Sequence, residues 1–176
     1  MTNKESLEQF KELRAKMMAG GGQKRIDAQH ERGKLTARER LSLLLDDESF
    51  IEHQSYITGR STSFGMDKKR FLGDGVVSGS GKINGKQVFL FAQDFTVLGG
   101  SLGEMHAERI AEAQEMALKN GGPFIQINDS GGARIQEGIL SLHGYGKIFR
   151  NNTLASGVVP QFSVILGPCA GGAVYS

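Results

Sequence analysis

The sequence predicts an α/β domain built from repeating ββα or βα units. Three observations carry that expectation. Residues 74–98 read as a β-hairpin around Asn84-Gly85, the strongest short-range turn signal for paired strands. Residues 124–138 (FIQINDSGGARIQEG) read as a buried strand, a glycine turn and a helix start. Residues 161–173 repeat that grammar, with QFSVIL running into GPCAGGA.

The elements follow in chain order. Residues 6–19 form a helix: Ser6 and Gln9 have capping-box spacing, and Leu7, Phe10, Leu13 and Met17 share one face, a packing surface. Gly20-Gly21-Gly22 ends it. Residues 23–35 are charged. The Gly33-Lys34 pair is not a phosphate-binding P-loop, because Leu35 stands where Ser or Thr is needed and Ala28 where the first glycine should be. Thr36 and Glu39 make a second capping box, opening a short helix over 37–45 with Leu41, Leu44 and Leu45 inward and Arg38 and Arg40 on a solvated face. Residues 55–72 are an irregular polar stretch. After the hairpin, residues 97–101 make a glycine corner, and a helix over 102–118 buries Leu102, Met105, Ile110, Ala113 and Ala117. Asn120-Gly121-Gly122-Pro123 stops that helix. Phe124, Ile125 and Ile127 mark a strand over 124–128, and a helix over 135–150 has Glu137 in its acid-tolerant first turn.

Chemistry is expected at the two later glycine corners. Gly131-Gly132 and Gly171-Gly172 let the backbone turn and present N–H groups at helix starts, where negative charge is favoured. A corner of this kind aimed at a developing oxyanion contributes about 2.7–4 kcal/mol of barrier lowering per donor. The alternative is that both are ordinary βα turns. Other candidates are weaker. Ser130 follows Asp129 but lacks a G-x-S-x-G elbow. His106 and His143 sit inside helices, Cys169 reads as a small packed residue, and no His or acidic cluster has metal spacing.

Composition sets bounds. A chain of 176 residues is long enough for one domain that buries about 70% of its unfolded surface. A net charge of +2 is too small to argue for nucleic acid or a membrane surface. The lone Cys169 excludes an intramolecular disulfide and a CxxC zinc ribbon. No apolar run approaches a membrane span, and MTNKESLEQF lacks a signal-peptide core, so the expected compartment is the cytoplasm. The chain stops at Ser176, where a helix is expected, so it reads as the opening part of a longer protein.

Residues 33–46 (GKLTARERLSLLLD), 73–110 (GDGVVSGSGKINGKQVFLFAQDFTVLGGSLGEMHAERI), 127–138 (INDSGGARIQEG) and 167–176 (GPCAGGAVYS) resemble the carboxyltransferase subunits of biotin-dependent acyl-CoA carboxylases, in particular the propionyl-CoA carboxylase β and methylmalonyl-CoA decarboxylase α branches. The resemblance implies a crotonase/ClpP-like spiral of ββα units. Residues 36–176 would be an incomplete N-terminal carboxyltransferase domain, preceded by a helical extension over 1–35. It implies carboxyl transfer between N1′ of biotin, borne on a separate carrier protein or domain, and the α-carbon of an acyl-CoA, with no metal in this chain. Gly171 and Gly172 would polarise the biotin ureido oxygen, and Gly131, Gly132, Ala133 and Arg134 would line the acyl-CoA pocket. The hole for the thioester enolate would belong to a second domain, so residues 1–176 alone are expected to be inactive. Implied partners are biotin carboxyl carrier and biotin carboxylase subunits, or membrane decarboxylase subunits, together with further copies of the carboxyltransferase subunit; neither nucleic acid nor direct membrane insertion is implied. The acetyl-CoA branch with a four-cysteine zinc ribbon is disfavoured. Two alternatives stand beside this reading: an enoyl-CoA hydratase or isomerase using Glu137 or Glu104, and a non-catalytic CoA-binding or assembly module.

Overall fold

The computed structural model describes residues 3–176. Five helices, α1 (Asn3–Met18), α2 (Gln23–His30), α3 (Ala37–Leu44), α4 (Glu104–Asn120) and α5 (Ile139–Ala155), accompany five strands, β1 (Ile51–Glu52), β2 (Val76–Ile83), β3 (Lys86–Gln93), β4 (Phe124–Ser130) and β5 (Gln161–Cys169). The strands form one sheet in the order β1-β2-β3-β4-β5. The first two pairings are antiparallel and the last two parallel. The predicted hairpin is β2–β3, with Asn84 and Gly85 at φ 51° and 77°, the left-handed pair that a two-residue hairpin turn demands.

Side-chain alternation divides the core. Val76, Phe89, Phe91 and Phe124 pack with Leu102, Ala107, Ile110, Tyr145 and Ile148 under α4 and α5. Val77, Val88, Leu90, Ala92, Ile125 and Ile127 point the other way, toward Ala37, Leu41 and Leu45 of α3 and its end. That second face is only partly roofed. A hollow of about 720 Å³ lies over it, lined in part by Leu44, Ile125, Phe162 and Val164.

Several expectations are corrected. The first helix already includes Asn3, so Ser6 lies inside it rather than capping it; Lys4 and Glu5 are good helix formers that carry the helix a turn further upstream. Its apolar face is largely uncovered: Leu7, Phe10 and Leu13 are exposed and only Met17 is buried. The charged stretch after it contains α2. The Thr36–Glu39 capping box is present, with the Glu39 N–H donating to Thr36 Oγ1 and the Thr36 N–H to Glu39 Oε2. Leu44, however, stays partly exposed at the hollow, and Arg40 is buried rather than solvated. The helix expected from 135 starts at Ile139, because Arg134 and Glu137 close a short 3-10 turn first.

Buried charges tie the loops to this frame. Asp129, fully buried at the end of β4, accepts from Lys34 Nζ at 3.0 Å and Arg40 Nη2 at 2.8 Å. The contacts therefore cross from residues before 35 into the sheet. Arg109 donates to the carbonyls of Gly73, Val76 and His53 and pairs with Glu52. His106 is buried beside Arg134 and Arg109. Its Nδ1–H donates to the Asp74 carbonyl at 3.1 Å, and its Nε2 accepts from Gln93, whose own Oε1 takes the Asp129 N–H. Both ring nitrogens are thus used as a neutral imidazole uses them, and burial together with the two guanidiniums holds its pKa well below the usual histidine value.

Two outcomes follow. Asp129→Asn should cost about 3–5 kcal/mol, because it leaves the Arg40 charge buried and unpaired; a loss under about 1 kcal/mol in denaturant unfolding would contradict that role. Below pH 6.5, the ordinary value for histidine, the unfolded chain takes up a proton at His106 that the folded chain refuses. Stability should therefore fall with pH from 6.5 toward 5.5, by up to about 1.4 kcal/mol per unit. His106→Asn should flatten that slope.

Candidate active site at the glycine corners

Three glycine-rich turns meet where β3, β4 and β5 end. The first includes a 3-10 turn, Leu98–Gly100, and leads into α4. The second, residues 131–134, leads through another 3-10 turn, Ile135–Glu137, into α5. The third opens a 3-10 turn, Gly171–Tyr175, after β5. Strands in parallel register deliver their C-terminal ends to one rim, the place where open α/β sheets bind ligands.

Main-chain hydrogen bonds join the turns. The Gly131 N–H donates to the Gly99 carbonyl at 3.0 Å. The Leu102 N–H donates to Gly132 O, and the Arg134 N–H to Leu102 O, both at 2.9 Å. The Ala170 N–H donates to Ser130 O at 3.2 Å. The third turn rests directly on the second: a Cβ added at Gly132, where φ is +98°, would lie 3.0 Å from the Ala170 carbonyl oxygen. The two corners that the sequence separates by forty residues are therefore neighbours.

This stitching decides which amides remain for a ligand. At the second corner the expectation of bare N–H groups is corrected. Gly131 is committed to Gly99, Gly132 to the Ser130 hydroxyl at 3.1 Å, and Arg134 to Leu102. Of residues 131–134, Ala133 alone keeps an N–H without an acceptor among the described residues. At the third corner the first bond of the 3-10 turn runs from the Ala173 N–H to Ala170 O. Gly171 and Gly172 precede it, so among the described residues both their amides are unspent, as the opening amides of a helical turn are. Gly171 adopts φ +55°, which favours glycine. Gly172 has no room for a side chain: an added Cβ would fall 2.7–2.8 Å from Cγ, Cδ1 and Cδ2 of Tyr145.

The side chains around the corners are mostly already engaged. Arg134 is buried and turned inward. Its Nη1 pairs with Asp74 and Glu137, each at 2.7 Å, and its Nη2 donates to the Ser101 and Asp74 carbonyls. Its charge is spent on the fold, which locks the turn rather than offering a cation to a phosphate. Glu137 also accepts the Glu104 N–H at 2.7 Å, at the start of α4, and Glu104 pairs with Arg60. Both carboxylates weighed as a hydratase base are thus held in ion pairs. Ser130 is buried with its hydroxyl on Gly132. Cys169 directs its thiol to the Ala173 carbonyl, and burial raises its pKa, the opposite of an activated nucleophile. Tyr145 is buried, and its hydroxyl has no partner inside hydrogen-bond distance among the described residues. Burial pushes the phenol up to about 12, a rise that the nearby Ser130 hydroxyl moderates. Among the described residues, no three His, Cys, Asp or Glu side chains gather into a group that could hold a metal ion.

Two participants escaped the sequence reading. Arg40 carried a signal: Ala37, Arg40, Leu41 and Leu44 fall at helical spacing, which puts Arg40 on the inward face. Tyr145 carried none that links it to Gly172.

Comparison with known proteins bears on what this rim does. Residues 28–176 match the carboxyl transferase domain family. The chain is 61% identical over 173 residues to a propionyl-CoA carboxylase beta chain of Roseobacter denitrificans, covering 98% of this chain and 34% of that protein. It is 59% identical over 175 residues to the methylmalonyl-CoA decarboxylase subunit alpha of Veillonella parvula, covering 99% and 34%. A crystal structure of transcarboxylase 12S with methylmalonyl-coenzyme A and methylmalonic acid bound superposes with a TM-score of 0.98 at 53% identity, covering all of this chain and 34% of that one. The chain thus spans about a third of the length of these relatives, and the α/β expectation resolves into part of a crotonase-like domain. Sequence, strand order and the rim of stitched glycine turns converge: the chain belongs to the carboxyl transferase domain family.

Proposed function

We propose that the full-length protein transfers a carboxyl group between carrier-borne biotin and the α-carbon of an acyl-CoA of the propionyl/methylmalonyl type. The observation that carries this is the pair of unspent amides at Gly171 and Gly172, fixed at the end of β5 beside the second corner. Fixed N–H donors suit an oxygen that gains negative charge during reaction, because they need no reorganisation as the charge appears. A ureido oxygen is such a group, so Gly171 and Gly172 are the residues that would hold biotin. Carboxybiotin, when bound, supplies the carboxyl group. The chain's own contribution is positioning: the amides orient one partner, and the neighbouring turn at Gly131, Gly132, Ala133 and Arg134 lines the acyl-CoA side through its backbone, with the Ala133 N–H its free donor.

The acyl class rests on the relatives. A propionyl-CoA carboxylase and a methylmalonyl-CoA decarboxylase work on the same pair of thioesters in opposite directions, and the transcarboxylase structure holds methylmalonyl-CoA. The partners proposed are a biotin carboxyl carrier with a biotin carboxylase, or membrane decarboxylase subunits, and further copies of the carboxyltransferase subunit, in line with the hexamer assembly described for transcarboxylase 12S.

In the full-length protein, Gly172→Val should lower carboxyl transfer involving free biotin by about 100-fold or more, the scale of losing a fixed oxyanion donor. Transfer by that variant at the wild-type rate would overturn the assignment. Avidin should block the assembled complex; turnover of an acyl-CoA indifferent to avidin would point to a hydratase or isomerase instead.

A further inference from the structure

We infer that Tyr145 is a positioning residue for the Gly171–Gly172 amides, its ring fixing where they stand relative to the Ser130–Gly132 turn. The ring face lies directly under Gly172, so closely that even a methyl group at that position would overlap three of its carbons. Tyr145 sits on α5, one turn before Phe149, with ring centroids 5.8 Å apart. Phe149 in turn packs nearly at right angles to the Tyr175 ring, with centroids 6.5 Å apart. The short turn Gly171–Tyr175 is thus clasped at both ends by one face of α5, at Gly172 by Tyr145 and at Tyr175 by Phe149. The third corner in turn rests on the second, where a Cβ added at Gly132 would lie 3.0 Å from the Ala170 carbonyl oxygen, and the Gly132 N–H is held by Ser130 Oγ. The ring of Tyr145 therefore seats the third corner against the second.

The physical need for such a device is plain. Gly171 and Gly172 have almost no side-chain contacts of their own to hold them, and their amides, being unspent, contribute no internal hydrogen bond. Their position must come from a surface they rest on. A flat, buried aromatic ring supplies one, and it also accounts for glycine at 172 independently of any bound group. A displacement on the scale of 1 Å at a reacting centre can cost about 100-fold in rate, so this contact matters to turnover well beyond its share of stability.

The inference rests on the carboxyl-transfer reading only for its kinetic readout. In the full-length protein, Tyr145→Leu should lower kcat by about 10-fold or more while leaving KM for acyl-CoA within about twofold. Tyr145→Phe, which keeps the ring, should stay within about twofold of wild type in both. Gly172→Ala should be impaired because its methyl meets the ring, and Gly172→Ala combined with Tyr145→Leu should recover about 10-fold over Gly172→Ala alone, since the leucine vacates that space. Amide hydrogen exchange reads the same contact without turnover: residues 170–176 should exchange about 10-fold faster in Tyr145→Leu, with the β2–β3 hairpin unchanged. If Tyr145→Leu does not fold, Tyr145→Met takes its place in each measurement. Wild-type kcat and exchange in the ring-deleting variant, or losses in the double variant that simply multiply, would overturn the positioning role. Faster exchange in Tyr145→Leu, found together with a wild-type protein that transfers no carboxyl, would instead overturn the functional reading and leave this contact standing.

Discussion

The structure depends on how backbone amides are allotted at the ends of three parallel strands. Every buried N–H must find an acceptor, and loops at a sheet rim have no ladder to supply one. Here the turns satisfy each other: the second donates to the first, the first to the second, and the third to the end of β4. That exchange fixes the three turns as one unit. The amides of Ala133, Gly171 and Gly172 are among those left over after it, and they are what the second and third corners can offer to a ligand. The candidate site is thus made of donors that the fold itself does not consume.

Buried ion pairs hold the unit to the rest of the molecule. Asp129 precedes Ser130 at the end of β4 and gathers Lys34 and Arg40, so the segment before α3 and α3 itself are pulled against the strand that leads into the second corner. Arg134 does the same on the other side, bridging Asp74 ahead of β2 to Glu137, which in turn takes the first N–H of α4. Such pairs contribute little net stability over an apolar alternative, but leaving one partner uncompensated is costly, so they specify a single arrangement. The side chains expected to carry chemistry are mostly used in this way. The groups left to act are main-chain ones, consistent with a reaction run on fixed dipoles and positioning.

Much of the fold was legible in the residues because its signals are local. The Asn84-Gly85 hairpin, the Thr36–Glu39 box, and the glycine stop after α4 each depend on a few neighbours, and each stands where the pattern puts it. The errors fall where tertiary contacts overrule local preference. Arg40 looked like a surface charge and is buried because Asp129, 89 residues away, neutralises it. Glu137 looked like a first-turn helix acid; instead its pairing with Arg134 tightens that turn and delays α5 to Ile139. The Gly131–Gly132 amides looked free because nothing in the sequence reveals that Gly99 and the Ser130 hydroxyl will reach them.

By itself, the sequence determined the type of most elements, the hairpin, the places where glycine turns the chain, and the family to which the chain belongs, since each is written in short-range pattern or in matched motifs. Only the tertiary structure decided that the two glycine corners are neighbours, that Tyr145 lies under Gly172, and which of the corner amides keep their hydrogens unspent. The reason is physical. Turn propensity is a property of a few consecutive residues, whereas the satisfaction of an amide depends on whichever acceptor the folded chain brings within about 3 Å, however far away in sequence it began.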